Sequence, residues 1–328
     1  MREKDIPFFG FPQFGFKQLV SFLVVTMLTV LTATAQDRFV FMPQWTAQAQ
    51  FAGYYVALDK GFYKAEGISV DIVHPSATQS TQSRVINDEI HATTLQLCQA
   101  MKVVDGGVPL VNILQTSMNN SLTIVSRRGK NPLTQKGGRV AIWSTDFGDM
   151  ALCMNAKEHL NYEWVKYAAN LNLFIKGAVD AAVAMSYNEF YQLVQTGLPV
   201  TEASVYRFSE HEYNVQDDGV YMRRDKYEQH KEQAVKFAKA SRKGWEWAAA
   251  HPDETLEIVM KYVRKNHIAT NRTLQKLMLA EVLRLQVDRE SKKREFRLRP
   301  DMVDKASRLM MESRLIKQKV TYQQLVER

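Results

Sequence analysis

Two short stretches of the chain carry side chains suited to hold a flat, nitrogen-containing molecule. The first contains Trp45 and Tyr54, and the second is Tyr187, Asn188 and Glu189. Aromatic rings stack on other rings, and an ionised carboxylate can only accept hydrogen bonds, so Glu189 would pair with amine donors. These five residues predict a non-covalent site for a heterocycle that carries amine groups.

Each of these assignments has a structural alternative. Aromatic residues at helical spacing are usually core residues, which applies to Phe51 and Tyr55 and also to Trp45 and Tyr54. Glu189 could instead be a surface glutamate, because acidic residues are favoured at the start of a helix. The sequence leaves both alternatives open.

Catalytic and metal-binding motifs are not evident. The chain shows no HExxH, GxSxG, Walker or paired-cysteine pattern, and its seven histidines lack ligand spacing. The only two cysteines, Cys98 and Cys153, are expected to be separate buried thiols. We therefore expect no catalytic residue, no metal and no cofactor.

The element that must position the first stretch is a βαβ unit in residues 38–73. An apolar run at 38–42 has strand length, and Phe51, Tyr54, Tyr55 and Leu58 then recur at helical spacing. Gly61 and Gly67 permit the left-handed turns that end the helix before the strand at 68–73. In such a unit the first strand ends beside the helix start, where open α/β sheets bind ligands.

This opening resembles a known family. Trp45, the segment Phe51-Ala-Gly-Tyr-Tyr-Val-Ala57 and the segment Lys60-Gly-Phe-Tyr-Lys-Ala-Glu-Gly67 are similar to the start of the SsuA/THI5-like substrate-binding proteins of ABC transporters. That branch includes binding proteins for thiamin precursors, sulfonates and nitrate, and also the fungal pyrimidine synthases. The resemblance implies a two-lobed type II periplasmic-binding-protein fold, α/β in class. It also implies that Thr94 and Gln96 line the cleft.

The pyrimidine synthases are the enzymatic alternative within this resemblance. They carry a CCCFC motif and a histidine in the first lobe. The histidine position falls near Gln99, and the segment His211 to Asp218, where the cysteines are expected, contains none. That activity is disfavoured on these residues.

The first 35 residues have the pattern of a cleaved export signal. Basic residues precede an apolar run at 19–31, and Ala33-Thr-Ala35 has the small-x-small spacing of a cleavage site. The run is shorter than the roughly 20 residues of a membrane-spanning helix, which disfavours an anchor. We expect a periplasmic protein that begins at Gln36.

The remaining chain reads as two lobes. We expect one lobe to comprise residues 36–124 and 223–328, and the other to comprise residues 125–222. The polar stretch after Val125 marks the first crossing, and the return lies near Gly219-Val-Tyr-Met222. From Asp225 we expect a long helix to Ala250, a first break at His251-Pro252, and further helices that form a C-terminal extension.

The net charge of +8 is concentrated in the last helices, since residues 284–328 hold an excess of six positive charges. A solvated helical face explains this better than an acidic partner or membrane surface, and no nucleic-acid module accompanies it.

Together, the sequence predicts a monomeric solute-binding protein that captures a small molecule and delivers it to an ABC permease. A periplasmic ligand sensor or a THI5-like enzyme is the alternative. A thiamin-precursor pyrimidine is the ligand that the resemblance suggests.

Overall fold

The computed structural model describes residues 38–327, with gaps at 77–79, 128, 130, 135, 146 and 169. The predicted export signal therefore lies outside the described residues. No helix within the described ranges is long and apolar enough to cross a membrane.

The strands of the described chain form two separate five-stranded sheets. In chain order they are β1 (Phe39–Met42), β2 (Val70–Ile72), β3 (Ala92–Gln96), β4 (Leu110–Gln115), β5 (Leu122–Ser126), β6 (Arg139–Trp143), β7 (Glu163–Tyr167), β8 (Ala181–Met185), β9 (Val205–Arg207) and β10 (Asp218–Arg223).

The helices cover the sheets and then continue as a C-terminal helical region. They are α1 (Ala52–Asp59), α2 (Phe62–Ala65), α3 (Thr81–Ile86), α4 (Leu97–Asp105), α5 (Asp149–Lys157), α6 (Asn172–Ile175), α7 (Glu189–Gln195), α8 (Arg224–Gln229), α9 (Lys231–Ala250), α10 (Pro252–Lys265), α11 (Arg272–Leu285), α12 (Pro300–Glu312) and α13 (Tyr322–Leu325).

Each sheet forms one lobe. The first has the order β2-β1-β3-β10-β4 and the second has the order β7-β6-β8-β5-β9. In both, three parallel strands are followed by one antiparallel strand that arrives from the other lobe. This is the two-lobed type II periplasmic-binding-protein architecture, with a helical C-terminal region, so the predicted fold class is confirmed.

The crossings between lobes lie a few residues from the expected positions. Strand β5 pairs entirely within the second sheet, so the chain crosses between Gln115 and Leu122. Strand β10 pairs within the first sheet, so the chain returns between Glu210 and Asp218. Strand pairing, which the sequence pattern does not reveal, assigns both strands to their sheets.

The opening βαβ unit follows its sequence pattern closely. Gly61 and Gly67 both adopt a φ of 72°, which only glycine takes without strain, and they end α1 and α2. Ser80 caps α3 by accepting a hydrogen bond from the backbone N–H of Ser83. The long helix expected from Asp225 to Ala250 is instead divided at His230, whose non-helical backbone (φ −120°, ψ 27°) separates α8 from α9.

Candidate functional site

A cleft lies where the ligand-side edges of the two sheets meet. Its central cavity opens to solvent, and the empty space within it, open solvent included, is about 290 Å³. The walls come from the segments after β1, β6 and β8, and they comprise Gln44, Trp45, Gln48 and Gln50 from the first lobe and Trp143, Phe147, Met185, Tyr187, Asn188 and Glu189 from the second. This is the edge at which open α/β sheets bind ligands.

Trp45 is held at this edge by a half-buried histidine. His74 lies between Trp45 and Tyr55, with Nδ1 2.7 Å from the Trp45 carbonyl oxygen and Nε2 2.7 Å from the Tyr55 hydroxyl. The carbonyl can only accept, so Nδ1 carries the proton and Nε2 accepts from Tyr55. Burial lowers the pKa of His74 to about 4, which keeps the ring neutral near pH 7. The bridge therefore fixes the backbone of Trp45.

Trp45 also makes a contact across the cleft. Its ring meets Phe147 of the second lobe edge to face, with centroids 5.8 Å apart. Phe147 in turn packs against Trp143 at 6.2 Å. Aromatic surfaces of both lobes are thus placed around the cavity, in the offset geometries that rings prefer.

Glu189 is the first residue of α7, yet it is not a surface residue. Only 8% of its surface is exposed, and its Oε2 accepts from the Met185 backbone N–H at 3.0 Å. Its Oε1 accepts from the Asn188 side chain at 3.0 Å. Burial raises the pKa of Glu189 to about 7. Near neutral pH the side chain is therefore present both as a carboxylate, which only accepts hydrogen bonds, and as a carboxylic acid, which can also donate one.

The first lobe supplies a polar wall of three glutamines and one aspartate. Asp218, the first residue of β10, accepts from Gln44 Nε2 at 2.9 Å and from Gln50 Nε2 at 2.6 Å. Gln48 Nε2 donates to Gln50 Oε1 at 2.7 Å. These amides are oriented by one another, so the wall is preorganised rather than formed by the ligand.

The cavity continues in two directions. Outward, it shares Gln44, Trp45 and Phe147 with a larger space near the start of α3, of about 1080 Å³ with open solvent included. Inward, it shares Gln50 and Tyr187 with a second cavity, which we call the inner compartment; its empty space, open solvent included, is about 290 Å³. Among the described residues that line these three spaces, none is lysine, arginine or histidine.

Four of the predicted site residues line the central cavity, namely Trp45, Tyr187, Asn188 and Glu189. Thr94 and Gln96 lie beneath the lining: Thr94 Oγ1 accepts from the Gln44 backbone N–H at 2.9 Å, and the Gln96 amide approaches Met185 Sδ at 3.9 Å. They position lining residues instead of facing the cavity themselves.

Tyr54 departs from the expectation that it faces a ligand. Only 1% of its surface is exposed, and its ring packs against Phe41, Phe237 and Trp245. Helical periodicity placed it on the correct helix face, but that face meets α9 and not the cleft. Phe51 and Tyr55 are likewise buried core residues.

Several lining residues were not anticipated. Trp143 ends β6 at the ligand-binding edge, so the rule that singled out Trp45 would also have found it. The three glutamines lie within the opening stretch itself, where their repetition in QWTAQAQ is the available signal. Asp217 and Asp218 can be recognised as site residues only when β10 is known to pair within the first sheet.

Metal or thiol chemistry finds no support in the described residues. They contain no group of three or more His, Cys, Asp or Glu side chains that could hold a metal ion. Cys98 and Cys153 are both free and buried. Burial raises the pKa of Cys98 well above its usual value and that of Cys153 to about 12, so both thiols stay protonated and poorly nucleophilic near pH 7.

Comparison with known proteins places this geometry in context. A family model described as NMT1/THI5 like matches residues 48–255. A relative from Haemophilus influenzae, provisionally named a thiamine biosynthesis protein, is 23% identical over 255 residues, which cover 74% of this chain and 78% of that protein.

Solved structures share the fold at low sequence identity. The periplasmic aliphatic sulphonate binding protein SsuA from Escherichia coli superposes with a TM-score of 0.62 at 13% identity, covering 89% of this chain and 92% of that chain. The ligand binding component of an ABC-type import system from Staphylococcus aureus, with zinc bound, gives a TM-score of 0.67 at 9% identity, covering 89% and 97%.

Proposed function

The chain belongs to the NMT1/THI5-like family, and we propose that it is the exported solute-binding component of an ABC-type importer. Its ligand is a flat heterocycle with amine substituents, of the thiamin-precursor pyrimidine type, bound between the lobes without chemical conversion. The acceptor of the loaded protein is an ABC permease.

The observation that carries this proposal is the combination of aromatic walls with the lack of basic residues in the described lining. The rings of Trp45, Trp143, Phe147 and Tyr187 surround a cavity whose described lining contains one acid, Glu189. Rings of this kind bind planar molecules, and the carboxylate and amides select polar hydrogen-bonding edges.

The same lining disfavours an anionic ligand. A sulfonate or nitrate bound in a dry cleft needs a positive charge or a set of donors to offset its desolvation. The described lining offers Glu189 in the central cavity and Asp217 and Asp218 in the inner compartment, all of which would repel an anion when ionised. A neutral or cationic heterocycle meets no such repulsion.

Contacts between the lobes support capture by closure. Lys102 of α4 pairs with Asp149 of α5 across the lobe boundary, with Nζ and Oδ1 3.3 Å apart, and Asp149 is only 3% exposed. The Trp45 and Phe147 rings meet across the same boundary. Because ligand-contacting residues come from both lobes, closure and binding are coupled, as in hinged binding proteins.

A biosynthetic enzyme is the second candidate, and the name of the Haemophilus influenzae relative favours it. The described cleft argues for binding instead: neither cysteine lines the three cavities, and Gln99 stands near the expected histidine position. The side chain of Gln99 is engaged in capping α4, where it accepts from the Gln96 backbone N–H at 3.0 Å.

The direct test is to release the ligand carried by the purified protein and to identify it by mass spectrometry. We expect an intact heterocycle with at least one amine, and incubation with excess of that compound should leave it unchanged. Recovery of an aliphatic sulfonate or nitrate would overturn the proposed ligand, and turnover of the compound would favour the enzyme.

Two variants assign roles within the site. With an aminopyrimidine as probe, Trp45→Ala should weaken binding by about tenfold, since a lost aromatic stack is worth about 1 kcal/mol beyond its contact area. Glu189→Gln should weaken it by roughly 10- to 100-fold, because a hydrogen bond to a charged group contributes about 1.5 to 3 kcal/mol. Trp247→Ala is the matched control, since Trp247 stacks on His251 and lines none of these cavities.

A further inference from the structure

The inner compartment contains two adjacent carboxylates that the proposed function does not yet use. It lies behind Tyr187, between the two crossing segments and the end of α11. Its described lining includes Asp217, Asp218, Ser117, Ser121 and Gln286. Asp217 and Asp218 are consecutive in the chain; Asp217 is only 2% exposed and Asp218 is half-buried.

The two carboxylates are tied to different parts of the molecule. Asp217 Oδ2 accepts from the backbone N–H of Ser121 at 2.9 Å and also from its hydroxyl, so it contacts the crossing segment that leads into β5. Asp218 accepts from Gln44 and Gln50, which also line the central cavity. The pair therefore joins the interlobe crossing to the ligand-binding wall.

No cation offsets this acidic pair within the described lining. The titratable groups that interact electrostatically with the pair include the hydroxyls of Tyr54, Tyr187 and Tyr221 and the thiol of Cys98, of which only Tyr187 is in the described lining. Burial raises the pKa of each of these groups, so all four are neutral near pH 7. Ionising both carboxyl groups at such a site has a high free-energy cost unless a positive charge lies nearby.

A second observation points to a ligand at the same place. Gln286 is only 1% exposed, it lines the inner compartment, and neither its Oε1 nor its Nε2 has a hydrogen-bond partner among the described residues. Leaving a buried amide without partners is energetically unfavourable, so such groups normally meet a polar partner. Gln286 can both accept from and donate to a bound group.

We propose that the inner compartment binds a primary ammonium group of the ligand, with Asp217 and Asp218 as its counter-charge and Gln286 as a further hydrogen-bond partner. This inference rests on the proposed solute-binding function and specifies the ligand further: a heterocycle with a cationic amine at its inner end. The three N–H donors of an ammonium match the carboxylate and amide oxygens.

Protonation of the pair gives the interaction a predictable pH dependence. Burial, followed by the neighbouring Asp218, raises the pKa of Asp217 to about 7, and burial also raises that of Asp218. At pH 5.5 the pair therefore holds a proton and attracts an ammonium weakly. At pH 8 it is more fully ionised, so the preference for an ammonium should be stronger.

Small amines test the compartment independently of any heterocycle. The probes are ethanolammonium and choline chloride at equal concentration and ionic strength; both carry one positive charge and one hydroxyl, but only ethanolammonium has N–H donors. We expect ethanolammonium to raise the Tm by about 2 °C or more relative to choline, with a larger difference at pH 8 than at pH 5.5.

Two variants make this result specific. Asp217→Asn preserves an oxygen for Ser121 and should abolish both the Tm difference and its pH dependence. Gln286→Leu removes an unpartnered amide, so it should fold at least as stably as the parent while its ethanolammonium shift falls by about half or more. A merely structural role for Gln286 would instead lower the Tm without changing the shift.

Other outcomes overturn the inference. Equal shifts with ethanolammonium and choline, or a shift that persists in Asp217→Asn, would exclude ammonium recognition by the pair. Stabilisation by magnesium or zinc chloride alone would indicate a metal site instead. If an aminopyrimidine binds without ammonium selectivity, only the inner compartment is refuted, whereas ammonium selectivity in a protein that binds no heterocycle refutes only the proposed ligand.

Discussion

The two lobes share one strand order but build their halves of the cleft differently. In the second lobe, Tyr187, Asn188 and Glu189 are consecutive and follow directly from β8. In the first lobe, the wall combines the segment Gln44–Gln50 with Asp218. Asp218 begins β10, where the chain returns from the second lobe to the first. The second-lobe side of the cleft is formed by consecutive residues, whereas the first-lobe side is formed by residues that are distant in sequence.

The lobes also differ in what supports them. Helix α9 of the C-terminal region packs directly on α1 in the first lobe, and this approach depends on paired glycines. A Cβ on Gly244 would lie 2.1 Å from the Gly53 carbonyl oxygen, and a Cβ on Gly53 would lie 2.2 Å from the Trp245 ring. The first lobe is therefore closely packed against the C-terminal region behind its ligand-binding wall.

The largest expected effect tests this close packing. Gly244→Ala should lower the free energy of unfolding by about 3 kcal/mol, since a backbone oxygen cannot move without shifting a whole helix. This cost exceeds the gain of about 1 kcal/mol that alanine brings to a helix interior. Chemical denaturation measures the difference.

Gly138→Ala in the second lobe is the matched control. A Cβ there would meet the Asp180 side chain at 3.6 Å, an ordinary contact, and its backbone is not left-handed. Its stability should change by less than about 1 kcal/mol. Equal losses in the two variants would show that the lobes do not differ in this respect.

A second prediction concerns Glu189, the acid of the second lobe. Its pKa is about 7 in the folded chain and near its usual value of 4.5 when unfolded. Between these values the folded state binds more protons at Glu189 than the unfolded state does. The free energy of unfolding therefore falls as the pH rises from about 4.5 to 7. Glu189→Gln should remove up to about 3 kcal/mol of this loss.

The stability of Glu189→Gln relative to the parent should therefore increase from pH 5 to pH 8, measured by urea denaturation at each pH. A relative stability that falls with pH would mean that Glu189 is stabilised as a carboxylate.

The smallest expected effect concerns Tyr54 and Tyr187, which were both predicted from the sequence to contact the ligand. Tyr54→Phe should change the affinity for an aminopyrimidine by less than about threefold, because Tyr54 packs in the core behind Trp245. Tyr187→Phe should weaken binding by about fivefold, since its side chain lines both the central cavity and the inner compartment. Calorimetry on both variants compares them, and a larger loss in Tyr54→Phe would reverse the assignment.

This contrast also explains what the sequence could predict. The fold of the opening βαβ unit can be predicted because a strand period, a helix period and two glycines at turns lie within one short stretch. The second-lobe residues were found because they follow a strand end directly. Tyr54 was misplaced because periodicity defines a helix face without saying what covers it. Asp217, Asp218 and Gln286 meet only through the return of β10 and the end of α11.

The most direct measurement is calorimetric titration of the ligand-free protein at pH 7.5 with two probes, an aminopyrimidine and an aliphatic sulfonate. The aromatic cleft, with acids but no bases in its described lining, predicts that the aminopyrimidine binds at least about 100-fold more tightly, a difference of about 2.8 kcal/mol. Sulfonate binding as tight as that of the aminopyrimidine, or tighter, would contradict the proposed ligand class.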